Sequence, residues 1–499
     1  MKRLPLVFNI AFAILALAAA TASTFPWCDE LVLTDAPANW AIRGISEGRV
    51  WPCTYNFLYP ALLSIWFKVF GVSHGVTCSL TIFAALLAAF SCCHIGLRRK
   101  LFADPIAICA FTCMFWGGWG LLGIITNGRL DTLTMLFAIL FADSLIPDGD
   151  RKEGAGTLLM TSLWAVLLML TSVYMLPVLF VLGLTTLFLS PADDRRVLIQ
   201  KGIAAALAFL VAYLFMVGWH TLHREAIRFL GFYIYFNTIT GLKADPLPSR
   251  IVRAYLFNPE ALALSLMTFA SALALRRRLT RPALAFVAFA LATPLLMTLG
   301  GRYESYYSWA FYVPAAFILT ALVCRTAHFR FCLLPVILLG AASFAANLTL
   351  RYTTTADARQ RAEAAKRFVE RHKHVFSGNK DVVVTEHIEG TRLELYYPLL
   401  QCGARPWFRG EKSLTGPSDR DKFDVGLSMI IKDPARRKEM LEKALRFQKC
   451  MPTLPDSGYV VFLSEENRKD IEPLLRARGY EITPLSSDDY ILAEIRHPR

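Results

Sequence analysis

Residues 76–97 read VTCSLTIFAALLAAFSCCHIGL, an apolar run that contains no Asp, Glu, Lys or Arg. A helix that crosses a bilayer needs about 20 mostly apolar residues, so this run predicts a membrane-spanning helix. Arg98, Arg99 and Lys100 follow it directly. Because such basic clusters favour the cytoplasmic side of a membrane, the run and its basic end together predict a span and its orientation.

The same pattern repeats along the first 350 residues. The 499-residue chain is 55% hydrophobic and only 18% charged, whereas a soluble domain has roughly a quarter of its residues charged. We interpret Gly156–Ser190 as two helices, because Thr171, Ser172 and Pro177 interrupt its apolar run. By length we predict about eleven spans, at Leu4–Ala22, Val76–Leu97, Pro105–Ile125, Leu130–Ile146, Gly156–Leu170, Tyr174–Ser190, Gly202–Trp219, Pro259–Leu275, Pro282–Leu299, Trp309–Cys324 and Phe331–Leu350.

Basic residues are concentrated in alternate connections, which orients the helices with the amino terminus inside. This placement accounts for the net charge of +14 without nucleic-acid binding, which we do not predict. The first run also fits a cleavable signal peptide, but we favour an uncleaved anchor. The predicted inner clusters are Lys2-Arg3, Arg98-Arg99-Lys100, Arg151-Lys152, Arg195-Arg196 with Lys201, Arg276-Arg277-Arg278 with Arg281, and Arg325 with Arg330.

The outer side then receives a first loop over residues 26–75, the loop His220–Asn258 and the carboxy-terminal part of the chain. From residue 351 the apolar runs stop and charged residues become dense. The sequence therefore predicts a polytopic α-helical membrane domain over 1–350 and a small extracytoplasmic α/β domain over 351–499.

Local patterns predict the elements of this carboxy-terminal domain. They predict helices at Ala356–His374 and Glu465–Arg478, and strands at Asp381–Thr385, Tyr459–Leu463 and Tyr490–Ile495. The domain has no glycine-rich phosphate loop and no metal-ligand spacing, so nothing in it suggests catalysis.

The chain has 11 cysteines, and four of them fall on the predicted outer side. They group by region as Cys28 with Cys53 and Cys402 with Cys450. An even number in an oxidising compartment favours disulfides, and a Cys28–Cys53 bridge would close the base of the first loop; free thiols are the alternative.

Two carboxylates, Asp29 and Glu30, follow the end of the first predicted helix and should lie at the bilayer surface. The head group of a lipid carrier lies at the same depth. Transfer of a sugar from a lipid phosphate to a hydroxyl needs a carboxylate that accepts the hydroxyl proton, for which Asp29 is a candidate. It also needs positive charge for the departing phosphate, for which the candidates are Arg129, Lys243 and Arg302.

These motifs resemble the GT-C superfamily of glycosyltransferases, particularly the branch of protein O-mannosyltransferases and lipid A aminoarabinose transferases. The first shared feature is Asp29-Glu30 after the first helix, followed by Tyr59-Pro60 and Phe70-Gly71 before the next span. The second is Gly128-Arg129-Leu130-Asp131 at the start of the fourth span. The third is a late outer loop with clustered tyrosines and charges, beginning at Gly301.

The resemblance implies transfer of a sugar from a polyprenyl-phosphate donor to a lipid, glycan or protein acceptor, at the extracytoplasmic face of the inner or plasma membrane. It assigns the catalytic or orienting role to Asp29, with Glu30 beside it. Members of the family commonly have an aromatic-Ala pair shortly after the acidic pair, whereas here residues 31–34 come first and Asp35-Ala36 follows. Asp35 is therefore the second candidate for the catalytic role. The predicted substrate-binding residues are Arg129, Asp131, Arg302, Glu304 and Tyr306, on which the resemblance rests, and Lys243, which is a candidate by its charge alone. A Mg²⁺ or Mn²⁺ ion held by Asp29 and Asp131 stays open.

Each of these residues also has a purely structural interpretation. Asp29 and Glu30 could be solvated loop charges, and Asp131 could only complement a helix dipole. Arg302 and Glu304 could form a surface ion pair, the nearby tyrosines could form an interfacial belt, and Lys243 could have no role.

Two other functional classes compete with the enzyme. A transporter or lipid flippase would carry ionisable residues near the midplane and broken helices from repeats, whereas the charges here gather at the outer rim and no repeat is visible. A membrane-anchored binding protein would not explain the acidic first loop.

Overall fold

In a computed structural model of the protein, the described residues are 4–23, 34, 37–42, 44, 57–102, 105–126, 128–146, 154–171, 176–190, 192–219, 247–257, 259–277, 279, 281–299, 308–324, 333–386, 393–410, 433–435, 437–439, 441–442 and 454–497. The described part of the first 354 residues is almost entirely helical. Its helices are α1 Leu4–Ser23, α2 Leu58–Phe70, α3 His74–Arg98, α4 Pro105–Gly117, α5 Trp119–Ile125, α6 Asp131–Leu145, α7 Ala155–Thr171, α8 Leu176–Leu189, α9 Ala192–Trp219, α10 Leu247–Phe257, α11 Pro259–Leu275, α12 Arg281–Leu299, α13 Ser308–Val323 and α14 Leu333–Thr354.

Within the described residues, three helical stretches are long and apolar enough to cross a membrane: His74–Arg98, Asp194–Phe215 and Leu333–Leu350. Shorter apolar helices of 10–17 residues are also present. Large apolar side chains such as Phe188 and Leu339 point outward and are 77% and 69% exposed. An exposed apolar surface of this kind is typical of a protein that contacts lipid. The total of about eleven spans stays a prediction.

Most helices lie where the apolar runs predict them. Gly156–Ser190 does form two helices, α7 and α8, as predicted. Helix α9 begins at Ala192, well before the predicted Gly202, so Arg195, Arg196 and Lys201 lie within a helix instead of a connection.

Two helices were not predicted at all. The 13-residue α2 lies in the segment predicted to be the first outer loop, and α10 lies in the second predicted outer loop. Both are shorter than the apolar length that reveals a span.

The predicted single span Pro105–Ile125 is wrong in one respect, because the helix breaks at Gly118 between α4 and α5. At the break, side chains from distant helices donate hydrogen bonds to carbonyl groups in the last turn of α4. The Tyr312 hydroxyl donates to the Met114 carbonyl over 2.7 Å. Ser343 Oγ and Asn347 Nδ2 donate to the Gly117 carbonyl over 2.8 and 3.1 Å. The helix can end here because these donors satisfy its last carbonyls.

Helix α1, the predicted anchor, packs inside the bundle through a buried polar contact. Asn9 Nδ2 donates to Thr112 Oγ1 over 3.1 Å, and Trp116 Nε1 donates to Asn9 Oδ1 over 2.9 Å. A buried amide is tolerated only when it is hydrogen-bonded, so Asn9 fixes α1 against α4.

The two ends of the bundle carry different ionic contacts. At the carboxyl ends of α3 and α6, Asp143 accepts from Arg98 Nη2 and Arg99 Nε over 2.6 and 2.7 Å. The amino-terminal ends of α3 and α6 lie together at the opposite end, which we call the Arg129 end. The carboxyl end of α1 lies there too, because a Cβ on Gly75 would meet Thr21 Cγ2 at 2.8 Å.

Residues 356–497 contain a five-stranded sheet of order β2-β1-β3-β5-β4. Strand β1 pairs in parallel with β2 and β3, whereas β5 pairs antiparallel with β3 and β4. Helix α18 packs on one face through Ile471 and Leu475. The elements are α15 Ala356–Arg371, α16 Lys373–Phe376, β1 Asp381–Glu386, a 3₁₀ turn Leu393–Leu395, α17 Tyr396–Gln401, β2 Arg405–Gly410, β3 Ser457–Phe462, α18 Glu465–Ala477, β4 Glu481–Ser487 and β5 Ile491–Arg496.

Strands β1, β3 and β5 and helix α18 lie close to their predicted positions. Strands β2 and β4 were not predicted. Both are edge strands that contain proline, at Pro406 and Pro484, and edge strands need no continuous apolar pattern. Helix α14 continues past residue 350 to Thr354, and the division of the chain at that residue stays a prediction.

Candidate functional site

Of the predicted site residues, the structure describes Arg129 and Asp131. The others lie outside the described residues: Asp29, Glu30, Asp35, Lys243, Arg302, Glu304, Tyr306, and the cysteines Cys28 and Cys53. The site can therefore be built upward from the Arg129–Asp131 pair.

Arg129 and Asp131 form a buried ion pair at the start of α6. Arg129 Nε donates to Asp131 Oδ2 over 2.8 Å, and the two side chains are only 11% and 2% exposed. Asp131 is also in the first turn of α6, where a carboxylate interacts favourably with the helix dipole. A charge pair withdrawn from solvent at the end of an apolar bundle is costly, which favours a functional role over a purely structural one.

Side chains of α2 and α3 hold the backbone that leads into this pair. The buried Tyr59 hydroxyl donates to the Gly128 carbonyl over 2.6 Å. Cys78 Sγ donates to the Thr126 carbonyl over 3.2 Å, and Thr81 Oγ1 lies 2.5 Å from the Ile125 carbonyl. These contacts hold the backbone of Ile125, Thr126 and Gly128, just before Arg129.

Two motifs that are far apart in the sequence meet here. Tyr59, of the Tyr59-Pro60 motif, lies on α2 and touches the Gly128–Asp131 motif directly. Gly71 ends α2 with a φ of 83°, a conformation that favours glycine, and its N–H donates to the Phe67 carbonyl. The sequence motifs thus mark the start of α2, the end of α2 and the segment at Gly128 that Tyr59 supports.

Part of this support was missed in the sequence. His74 is buried, and its Nε2 lies 3.5 Å from Cys78 Sγ. His74, Thr77, Cys78 and Thr81 share one face of α3, because they are spaced by three or four residues. Their presence at that spacing, at one end of an apolar helix, is the sequence signal that could have identified this supporting face.

The carboxy-terminal region contacts the same end of α3. The Tyr397 hydroxyl lies 3.0 Å from Thr77 Oγ1, and Gln401 Nε2 donates to the Val72 carbonyl over 2.9 Å. The sheet-bearing region and the Arg129–Asp131 pair therefore lie at the same end of the bundle.

Cysteines do not form a metal or disulfide centre among the residues that the structure describes. There no disulfide joins the cysteines, and no group of three or more His, Cys, Asp or Glu side chains could hold a metal ion. Cys402 is half-buried and donates to the Leu399 carbonyl over 3.1 Å. Burial raises the pKa of its thiol. Its predicted partner Cys450 lies in a part of the chain that is not described.

No protein-family model matches the sequence, and a search of curated proteins also finds no match. Solved structures do match over nearly the whole chain. The structure of ArnT from Cupriavidus metallidurans bound to undecaprenyl phosphate has a TM-score of 0.61 at 11% identity, covering 98% of this chain and 97% of that one. The same protein in the apo state gives a TM-score of 0.55 at 12% identity, with 97% of each chain covered.

A second group of matches consists of structures of an archaeal oligosaccharyltransferase. The Archaeoglobus fulgidus enzyme in complex with Zn and sulfate has a TM-score of 0.53 at 12% identity, covering 98% of this chain and 73% of that one. The two groups belong to the same superfamily. The chain has the GT-C fold, and the resemblance identified in its sequence is confirmed at the level of the fold.

Proposed function

We propose that the protein is a glycosyltransferase that moves a sugar from a polyprenyl-phosphate donor to a lipid, glycan or protein acceptor at the extracytoplasmic face of the membrane. The observation that carries this proposal is the buried Arg129–Asp131 pair at the start of α6. Similarity in fold to ArnT bound to undecaprenyl phosphate supports a lipid-phosphate donor.

The chain path supports a role for Asp29 beside this pair. Helix α1 ends at Ser23, at the Arg129 end of the bundle. Asp29 is six residues beyond Ser23 in the sequence, and a chain of six residues extends at most about 20 Å. Asp29 is therefore tethered to the end of the bundle where the pair lies.

In the proposed reaction, an acceptor hydroxyl oxygen attacks the anomeric carbon of the donor sugar. The new glycosidic bond forms as the bond from that carbon to the phosphate oxygen breaks. The hydroxyl proton passes to the Asp29 carboxylate, and the polyprenyl phosphate leaves with the bonding electrons. Arg129, Lys243 and Arg302 bind the phosphate and stabilise its charge.

The remaining predicted residues would bind and orient the substrates. Glu30 and Asp35 lie near Asp29 in the sequence and would accept hydrogen bonds from sugar or acceptor hydroxyls. Glu304 and Tyr306 would do the same from the late outer loop. Asp131 would hold the Arg129 guanidinium in place, since it already accepts from Arg129 Nε.

Transfer is expected to persist after dialysis against EDTA. Arg129 already neutralises Asp131, and a divalent ion at this carboxylate would be repelled by the adjacent guanidinium. Transfer measured before and after dialysis checks this expectation. Loss of transfer that Mg²⁺ or Mn²⁺ restores would contradict it and show that the reaction requires a divalent ion.

The Asp29→Asn variant is expected to lose about a hundredfold or more of its transfer rate, because a positioned proton acceptor contributes roughly 10²–10⁴-fold. The purified variant is assayed with polyprenyl-phosphate sugars, and its folding is checked by size-exclusion chromatography. Asp35→Asn, the matched control, should lose much less.

A greater loss in Asp35→Asn would move the catalytic role to Asp35. Full transfer in both variants, or loss of solute movement across vesicles instead of transfer, would reject the proposed function in favour of transport. Mapping of Asp29 to the cytoplasmic side would also reject it.

A further inference from the structure

A contact between the carboxy-terminal region and α3 has no role in the reaction described above. Tyr397 lies on α17 and is buried, and its hydroxyl lies 3.0 Å from Thr77 Oγ1. Its ring lies 6.4 Å from the ring of His74, measured between centroids. Gln401, one turn further along α17, donates to the Val72 carbonyl. Helix α17 thus holds the first turn of α3 from outside the bundle.

Side chains next to Thr77 on the same face of α3 contact the segment before the ion pair. Thr77 is completely buried, and the adjacent Cys78 donates to the Thr126 carbonyl over 3.2 Å. One turn further, Thr81 lies within hydrogen-bond distance of the Ile125 carbonyl. Tyr397 and the backbone at 125–126 therefore contact neighbouring side chains on one face of α3.

We infer that Tyr397 is a positioning residue for the Arg129–Asp131 pair, acting through Thr77 and the first turn of α3 on the backbone at 125–126. This inference rests on the proposed function for its kinetic consequence. Charge stabilisation in a transition state depends on where the charged groups are held, so a small displacement of Arg129 would slow transfer without breaking the ion pair. The carboxy-terminal region thereby contributes to the reaction without touching the substrate.

The Tyr397→Phe variant tests the positional part directly, because it removes only the hydroxyl. Hydrogen exchange of the full-length protein in detergent, read by mass spectrometry, should show faster exchange in peptides that cover residues 125–134. Thr77→Val should do the same, whereas Thr77→Ser keeps a hydroxyl and should exchange as the wild type does. Tyr480→Phe is the matched control. Tyr480 is also a buried tyrosine of the carboxy-terminal region, but it lies in the apolar cluster that contains Ile471 and Leu475 of α18.

Transfer kinetics test the consequence. In Tyr397→Phe, kcat should fall about three- to tenfold, as expected for the loss of one hydrogen bond. The donor KM should change less, because the pair acts on charge that develops in the transition state. Combining Tyr397→Phe with Thr77→Val should add little to either single change, since both remove the same contact.

The outcomes separate the inference from the proposed function. Unchanged exchange at 125–134 in Tyr397→Phe overturns the inference, whatever the kinetics show. Faster exchange with an unchanged kcat overturns the positioning role for Tyr397. Faster exchange in a protein whose wild type transfers no sugar supports the mechanical coupling and rejects the glycosyltransferase.

Discussion

The double variant Arg129→Met, Asp131→Leu is expected to fold with close to wild-type stability and to lose about a hundredfold or more of its transfer rate. Replacement of a buried ion pair by apolar residues of similar volume is often neutral or stabilising. Removal of one group that stabilises transition-state charge costs about 10²–10³-fold in rate. The variant therefore separates a functional pair from one that only completes the fold.

Single substitutions distinguish a functional role of the Arg129–Asp131 pair from a structural role less clearly. Arg129→Leu would leave the buried Asp131 carboxylate without its guanidinium, and breaking a buried pair in this way costs about 3–5 kcal/mol. Arg129→Lys keeps the positive charge but loses the planar guanidinium, so we expect a folded protein with slower transfer. Rates should therefore be expressed per folded molecule.

Asp143 supplies the matched control, because it lies on the same helix and pairs with Arg98 and Arg99 at the opposite end of the bundle. Asp143→Asn should lower stability and keep the transfer rate per folded molecule. The measurements are transfer kinetics with a polyprenyl-phosphate sugar and thermal unfolding in detergent. Wild-type transfer by the double variant would show that the pair is structural and would remove the observation on which the proposed function depends.

Apolar length was enough to predict most of the helices. Helix α11 has the predicted bounds, Pro259–Leu275, because hydrophobic length is the physical requirement for crossing a bilayer. The break at Gly118 could not be predicted, because the donors that end α4 come from Tyr312, Ser343 and Asn347, about 200 residues further along the chain.

In the candidate site, too, local features could be predicted and contacts between distant segments could not. Arg129 and Asp131 were predicted from a local motif, and the structure places them in one ion pair. Tyr397 could not be predicted, because its partner Thr77 is 320 residues away and neither residue belongs to a motif. Contacts between distant segments leave no local pattern, so sequence reasoning found the charged groups but not the contacts that position them.

The crossing of α4 and α14 should be the least tolerant position for a small change in volume. A Cβ on Gly340 would meet the carbonyl carbon and oxygen of Cys113 at 2.7 Å, and a Cβ on Gly117 would meet the Gly340 oxygen at 2.5 Å. Non-bonded carbon atoms prefer separations of about 3.5–4.0 Å, so alanine at either position must push the two helices apart. Membrane helices approach this closely only where both present small residues.

Gly340→Ala is therefore expected to lower stability by at least about 2 kcal/mol. Overpacking alone costs about 1–3 kcal/mol. Separation of the helices would also weaken the bonds from Ser343 and Asn347 to the Gly117 carbonyl, at about 0.5–1.5 kcal/mol each. Thermal unfolding in detergent, followed by size-exclusion chromatography, measures the change.

Gly183→Ala is the matched control, because Gly183 also lies within a helix but a Cβ there would meet no atom within 4 Å. This variant should be neutral or up to about 1 kcal/mol more stable, since alanine favours the helical conformation over glycine. Alanine is thus expected to lower stability at Gly340 and to leave it unchanged or raise it at Gly183. The comparison separates the effect of the close approach of α4 and α14 from the effect of helix propensity. Equal stability of Gly340→Ala and Gly183→Ala would show that the two helices can separate freely, and the hydrogen bonds that end α4 at Gly117 would then not depend on their contact.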